Sequence, residues 1–354
     1  MPPAEGLQSG ESLARGSHSQ GVQTEGPYFD ELAVGQEFTG APGVTLTPGL
    51  AAAHQAIVGD RLALATDHEL CHEVTGGGPV ASPGLVWDVA IGQSTLVTQH
   101  VKANLFYRGL AFRRVPRLGD TLRTTTRVDG LRQNKPRQGR APTGLAALRI
   151  TTVDQENRPV LDFWRCAMLP LRDQDARTGH DDDLAQVGQP IVPASLNTLV
   201  TGWRLDRFAQ LASGPRVTGL QAGQSWPVAG GDVVSSAPEL ARLTMNVAMV
   251  HHDLAVAGGQ RLVYGGHAIG LALTQASRSL PSLVTVAGWQ GCDHLGPVHE
   301  GDPLRSTLSV EQVDEIPGGA GLVHLRSLVR ADPLPGGPAT ARDVLDWRFI
   351  AVVA

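Results

Sequence analysis

Two stretches of this chain are apolar on almost every side. Leu85-Val86-Trp87-Asp88-Val89-Ala90-Ile91 follows Gly84, and His267-Ala268-Ile269-Gly270-Leu271-Ala272-Leu273 follows Gly266 and runs on through Leu280 to Pro281. A helix with no wide polar stripe is one enclosed by other structure. Pro281 stops the second one, because proline lacks the N–H that the next turn needs. Elsewhere the period changes: residues 122–128, 145–153, 161–169, 304–310, 322–329 and 344–353 alternate apolar with polar side chains or are rich in β-branched ones, which is the signature of strands. These strands follow one another with no helical pattern between them, so they predict an antiparallel sheet. The fold class read from the pattern is α+β, with an antiparallel sheet wrapped around one buried helix.

That arrangement is predicted twice, because the chain repeats itself. Leu32-Ala33-Val34-Gly35-Gln36-Glu37-Phe38 recurs as Leu220-Gln221-Ala222-Gly223-Gln224-Ser225-Trp226, 188 positions on. Gly119-Asp120-Thr121-Leu122-Arg123 recurs as Gly301-Asp302-Pro303-Leu304-Arg305 after 182 positions, and Val160-Leu161-Asp162-Phe163-Trp164-Arg165 as Val344-Leu345-Asp346-Trp347-Arg348 after 184. Three matches in chain order at nearly constant spacing mark an internal duplication. The expected organisation is a tail over residues 1–27, one unit over 28–171, a linker over 172–195 and a second unit over 196–354. The linker reading rests on Asp173, Asp175, Asp181, Asp182 and Asp183 among Gly and Pro with little apolar periodicity.

Composition narrows the function. With 354 residues and 42% hydrophobic content the chain can bury two cores. A net charge of −5 with no Lys/Arg block supports neither a nucleic-acid footprint nor a membrane-attracting patch, so a small-molecule partner is expected. Cys71, Cys166 and Cys292 are odd in number and widely spaced, which fits a reducing cytoplasm better than a disulfide framework. The first 27 residues, rich in Gly, Ser, Gln and Glu, lack an apolar core and read as a disordered tail, not a signal peptide.

The chemistry points to Leu243-Thr244-Met245-Asn246-Val247-Ala248-Met249-Val250-His251-His252-Asp253, which precedes the turn Tyr264-Gly265-Gly266-His267 into the second helix. A polar side chain at 246 and an imidazole at 251 stand ahead of a helix N-terminus whose glycines let a ligand approach the backbone. Adding water to an α,β-unsaturated thioester builds negative charge on the carbonyl oxygen, which such N–H groups stabilise. The nearby His handles the proton. In the first unit the position of Asn246 is taken by Asp60 and that of His251 by Ala65. The first unit is therefore expected to be the degenerate one, a wall for a site whose catalysis belongs to the second, with Asp60 in a structural role.

The spacing of Asn246 and His251, followed by the Gly-Gly turn, resembles the signature of MaoC-like R-specific enoyl-CoA hydratases. In that family an Asp is followed by Asn-Pro, by a His five residues after the Asp, and later by a glycine that donates to the oxyanion. Asn246 stands at the family's Asp, Ala248 and Met249 at its Asn-Pro, His251 at its His and Gly266 at its Gly. Two readings of the departure at 246 stay open: Asn246 orients water while His251 moves the proton, or Asp253 supplies the missing carboxylate. A narrower resemblance, carried by Gly130-Leu131-Arg132-Gln133-Asn134-Lys135 and by Val263-Tyr264-Gly265-Gly266-His267-Ala268-Ile269, is to the mesaconyl-CoA hydratases, also called β-methylmalyl-CoA dehydratases. That resemblance implies a tandem hotdog fold, reversible hydration of mesaconyl-CoA or a related enoyl-CoA, an acyl-CoA partner, no metal or redox cofactor, and a homodimer.

Other groups have two readings each. His267 contacts substrate or caps its turn, and Gly265 shares the oxyanion site with Gly266. Arg132, Lys135 and Arg137, with Arg140, meet the phosphates of CoA or form a solvated basic hairpin. His68-Glu69-Leu70-Cys71-His72 matches the two-His zinc pattern, but Thr75-Gly76-Gly77-Gly78-Pro79 leaves little helix to carry it. Two other functions use the same fold: a hotdog thioesterase acting through a carboxylate, and a non-catalytic acyl-CoA binding protein.

Overall fold

The computed structural model describes residues 25–188, 190–333 and 340–354. Residues 1–24 of the expected tail and residue 189 of the expected linker lie outside them. The first half runs β1 (Glu37–Phe38), β2 (Val44–Thr45), α1 (Pro48–Val58), α2 (Ala63–Thr66), α3 (His68–Thr75), α4 (Pro83–Gln93), β3 (Ala103–Phe112), β4 (Thr121–Gln133), β5 (Thr143–Val153) and β6 (Pro159–Pro170). The second runs α5 (Leu205–Leu211), β7 (Ser225–Pro227), β8 (Asp232–Val233), α6 (Ala237–Leu243), α7 (Gly265–Ser279), β9 (Leu283–His294), β10 (Pro303–Ile316), β11 (Ala320–Ala331) and β12 (Arg342–Val353).

Among the described residues all twelve strands belong to one antiparallel sheet whose main path is β1-β4-β5-β6-β3-β9-β12-β11-β10-β7, with β2 beside β4 and β8 beside β10. Each half contributes five strands to that path in the same relative order, and the halves join where β3 pairs with β9, Phe106 opposite Asp293 and Leu110 opposite Trp289. The sheet wraps α4 and α7, which also touch each other. This is the double hotdog. Every residue of α4 is buried, and Trp87 on it meets Trp289 edge-on with ring centroids 4.8 Å apart. The duplication extends to single hydrogen bonds: Gln93 Nε2 in α4 donates to the Leu122 carbonyl at 3.0 Å, and Gln275 Nε2 in α7 donates to the Leu304 carbonyl at 2.9 Å.

Three sequence expectations change. The joining strands β3 and β9 were not among the predicted ones; both are covered by other structure along much of their length, so they lack the polar-apolar alternation that marks a half-solvated strand. The expected linker is not free. Asp182 accepts from Leu131 N at 2.8 Å, Leu184 is buried against Leu145, Ala147 and Cys166, and Ile191 packs on the core, so the segment straps the outer face of the first half's sheet. Its acidic residues suggested solvation, whereas its few apolar residues decide where it lies. Third, α3 is a full two turns despite the glycines that follow it. All three cysteines are buried and unpaired, and among the described residues no helix is long and apolar enough to cross a membrane.

Candidate active site

A cavity of about 310 Å³ opens between the halves. The first half lines it from the end of α4 through Thr95, Thr98 and the start of β3, with Tyr107 and Arg165 from the sheet. The second half contributes Asn246, Ala248, Val250, His251, the turn at 262–265 and the end of β9 at His294.

Helix α6 ends in a Schellman turn: Met245 N reaches the Arg242 carbonyl at 3.2 Å and Asn246 N the Ala241 carbonyl at 2.9 Å. That turn requires a left-handed residue, and Met245 takes it at φ 62° where glycine is usual. The chain then docks on the first half, with Val247 N donating to Thr95 Oγ1 and Met249 N to the Gln99 carbonyl, both at 2.9 Å. Gly92 of α4 makes room for it, since a Cβ there would collide with the Thr244 carbonyl. The first half therefore holds the segment that carries Asn246 and His251.

His251 Nδ1 lies 2.7 Å from the Leu262 carbonyl. A carbonyl only accepts, so the ring proton sits on Nδ1 and Nε2 keeps its lone pair. Burial pushes the imidazole down to about 4, with His252 and Arg165 adding to the shift, so it is neutral near pH 7. Asn246 is 3% exposed, and its Oδ1 accepts from Ala248 N at 3.0 Å. With the oxygen committed, its remaining polar group is the NH2 donor, which cannot act as a base.

The turn into α7 fits an oxyanion site. Tyr264 occupies the N-cap without a side-chain hydrogen bond to the helix, so the first N–H groups have no partner within it. Gly265 lines the cavity, and a Cβ there would stand 2.7 Å from the His294 ring. At Gly266 a Cβ would collide with Asp88 Oδ1. Asp88 belongs to α4 and was not singled out as a candidate, although a carboxylate inside an all-apolar helix is a signal in itself. It is fully buried, pairs with His54 Nε2 at 3.0 Å and accepts from the Tyr264 hydroxyl at 3.2 Å. Burial raises its pKa above the ordinary carboxylate value, against the opposing pull of His54. His294 was also missed; it lines the cavity with a buried, unpartnered Nε2 and is pushed down to about 4 by burial.

Several expected site residues lie elsewhere. Asp253 is exposed, and its carboxylate accepts from Ala255 N and Val256 N, so it caps a turn and does not pair with His251. His267 is 0% exposed but lies outside the cavity lining, with both ring nitrogens unpartnered and burial pushing it down to about 4. The helix rotates position 267 away from the cavity that 265 faces. Arg132 pairs with Leu145, Leu145 with Met168, and Met168 with Ala103 at the cavity. Three strand spacings, roughly 14 Å, thus separate it from the lining, and Lys135 and Arg137 are exposed in the adjoining loop. The cation at the cavity mouth is Lys102. His68 and His72 are exposed on α3, and among the described residues no cluster of three or more ligating side chains stands around them. Asp60 bonds Ser82 Oγ and accepts from Leu62 N, a structural role at the start of α4.

No family model matches this chain. The solved structure of RV0216, a conserved hypothetical protein from Mycobacterium tuberculosis with a double hotdog fold, is 54% identical and superposes with a TM-score of 0.84 over 92% of this chain and 98% of that one. A protein assigned as a MaoC domain dehydratase from Chloroflexus aurantiacus superposes with a TM-score of 0.81 at 25% identity, over 94% of this chain and 99% of that one. The β-methylmalyl-CoA dehydratase of Chloroflexus aurantiacus is 27% identical over 310 residues, 85% of this chain and 86% of that protein.

Proposed function

Because this chain belongs to the MaoC-like superfamily, in its double-hotdog form, we propose that it is a hydro-lyase acting reversibly on a short acyl-CoA. The observation that carries the reading is the convergence of His251, its proton pinned on Nδ1, with the uncapped N-terminus of α7 on one cavity. In the hydration direction the thioester carbonyl faces the N–H groups of Gly265 and Gly266. The Asn246 NH2 holds a water by donating to its oxygen, and His251 Nε2 takes a proton from that water as its oxygen bonds to the β-carbon. The electron pair of the C=C bond moves onto the carbonyl oxygen as an enolate, which the helix N-terminus stabilises. The imidazolium returns the proton to the α-carbon, completing addition of one water. Dehydration is the same path reversed.

Within this class we propose mesaconyl-CoA and β-methylmalyl-CoA as the pair interconverted, supported by the 27% identical β-methylmalyl-CoA dehydratase. The CoA tail leaves past Lys102, with Arg132 at the end of β4 and Lys135 and Arg137 in the loop beyond it on the same end of the sheet. Thioester hydrolysis through a carboxylate is disfavoured, since among the described residues no Asp or Glu lines the cavity.

The test is loss of enoyl-thioester absorbance with mesaconyl-CoA, alongside a thiol assay. Wild type should consume the enoyl signal without releasing thiol, and His251→Ala should be slower by roughly 10²- to 10⁴-fold with an unchanged melting temperature. Release of thiol, or full activity in the variant, would sink the proposal.

A further inference from the structure

The cavity contains a cation that the fold does not require. Arg165 on β6 is 2% exposed and lines the cavity. Its Nη2 donates to the Ser94 carbonyl at 3.0 Å and to Thr98 Oγ1 at 2.8 Å, while its Nε is buried with no partner. Those two neutral acceptors serve one end of a five-donor fork. Among the described residues the ionisable groups acting on the guanidinium are Tyr107, Tyr264, Cys166 and His251, none of them a carboxylate. Burying a charge without a counter-ion is strongly unfavourable, and the other charged or ionisable groups of the lining, Lys102, His251 and His294, do nothing to neutralise it.

The other half shows what the sheet needs at this position. Arg165 stands opposite Tyr107 on one side and Leu148 on the other. Phe349 stands opposite Trp289 and Leu325 in the same way. The ladder thus equates Arg165 with Phe349, a fully buried core residue. The repeat offset of 184 gives the same equivalence, whereas matching Trp164-Arg165 to Trp347-Arg348 by residue type would put Arg165 on Arg348, one residue off, and a one-residue slip in a strand moves a side chain to the opposite face. Arg348 points the other way and pairs with Glu311 at 3.1 Å. An apolar residue satisfies the fold where the first half keeps a buried guanidinium.

We propose that Arg165 is the specificity-determining residue of the cavity and binds a carboxylate on the acyl chain, so that the substrate is the CoA half-thioester of a dicarboxylic acid. The planar fork suits a carboxylate, and the ligand supplies the counter-ion that the protein withholds. An acyl group without the carboxylate would leave the charge unpaired, which makes the site selective. This rests on the reading that an acyl-CoA occupies the cavity, but not on the hydration step.

Calorimetric titration of the full-length protein with succinyl-CoA and butyryl-CoA tests it directly. Wild type should prefer succinyl-CoA by at least about tenfold, and Arg165→Met should bring that preference to about twofold or less while butyryl-CoA binds as well as before or better. Arg165→Gln, which keeps a donor for Ser94 and Thr98, should lose the preference equally and covers the case in which the Met variant does not fold. Equal binding of the two thioesters by wild type, or a preference that survives in both variants, overturns the proposal. In parallel, hydration of mesaconyl-CoA is compared with that of 2-methylcrotonyl-CoA, which has a methyl group in place of the carboxylate. Hydration of both at equal rates would keep the hydratase and discard the carboxylate subsite. A succinyl preference dependent on Arg165, with neither enoyl thioester hydrated, would keep the subsite and discard the hydratase.

Discussion

Helices α4 and α7 occupy equivalent places in the two halves, yet their N-termini are treated in opposite ways. At α4 the end is closed: Ser82 accepts from Gly84 N, Pro83 fills the first turn without an N–H, and Asp60 bonds the Ser82 hydroxyl. At α7 the N-cap is Tyr264, which sends its hydroxyl to Asp88 and leaves the helix end without a side-chain cap, with Gly265 lining the cavity. The carboxylate at the position equivalent to Asn246 has turned inward in the first half to serve structure. The two halves thus show how one fold yields a wall and a site: one seals its helix end with its own side chains, and the other leaves it for a ligand.

The largest expected effect comes from closing the open end. Gly266→Ala would drive a methyl into Asp88 Oδ1, whereas a Cβ at Gly84 would stand 3.3 Å from the His54 ring and 3.4 Å from Ser82 Oγ, a tight contact that a shift of a few tenths of an ångström relieves. We expect Gly266→Ala to lower kcat/KM by roughly 10²- to 10³-fold, the scale of losing an oxyanion donor, and Gly84→Ala to alter it less than about threefold. Similar losses in both variants would mean that the two helix ends are not functionally different.

A second contrast lies in the histidines. His54 in the first half has Asp88 as its partner, while His267 in the second has none and is held near 4 by burial. The folded state then binds its proton less readily than the unfolded chain. Stability from this group is complete above about 6.5 and falls as pH drops toward 4, by about 3 kcal/mol at 1.4 kcal/mol per unit. Denaturant midpoints across that range should fall more steeply for wild type than for His267→Leu; equal slopes would contradict the assignment. Over the same range kcat/KM should hold until pH approaches 4, because His251 is already neutral there.

Asp60→Ala should destabilise by about 1–3 kcal/mol, since it strands Ser82 Oγ and Leu62 N in a buried place. Its kcat should stay within about twofold of wild type. Activity lost without a fall in melting temperature would return Asp60 to the chemistry. The smallest effect is expected at Asp253, an exposed turn cap whose change to Asn should move neither rate nor stability by more than about 0.5 kcal/mol. A loss of tenfold or more would restore it as the partner of His251.

Much of the fold was legible because it is written in periodicity. The duplication, both central helices and six of the long strands all come from patterns local in the chain, and so did the choice of Asn246, His251 and Gly265, which the structure brings to one cavity. What depended on residues far apart was not legible. Strands β3 and β9 carry no alternation, because structure on both faces removed the need for it. Asp88 and Arg165 each look like a single polar residue in an apolar segment, and only the sheet register and the crossing of α4 with α7 show that Arg165 and His294 meet at one cavity while Asp88 lies behind Tyr264. The linker's composition reported its solubility, while its docking followed from an apolar surface supplied by other strands. Sequence by itself determined the central helices, six of the long strands and that the arrangement occurs twice. Tertiary structure decided which half keeps an open helix end and a buried unpaired cation, because charge burial and hydrogen-bond partnership belong to groups brought together from both halves.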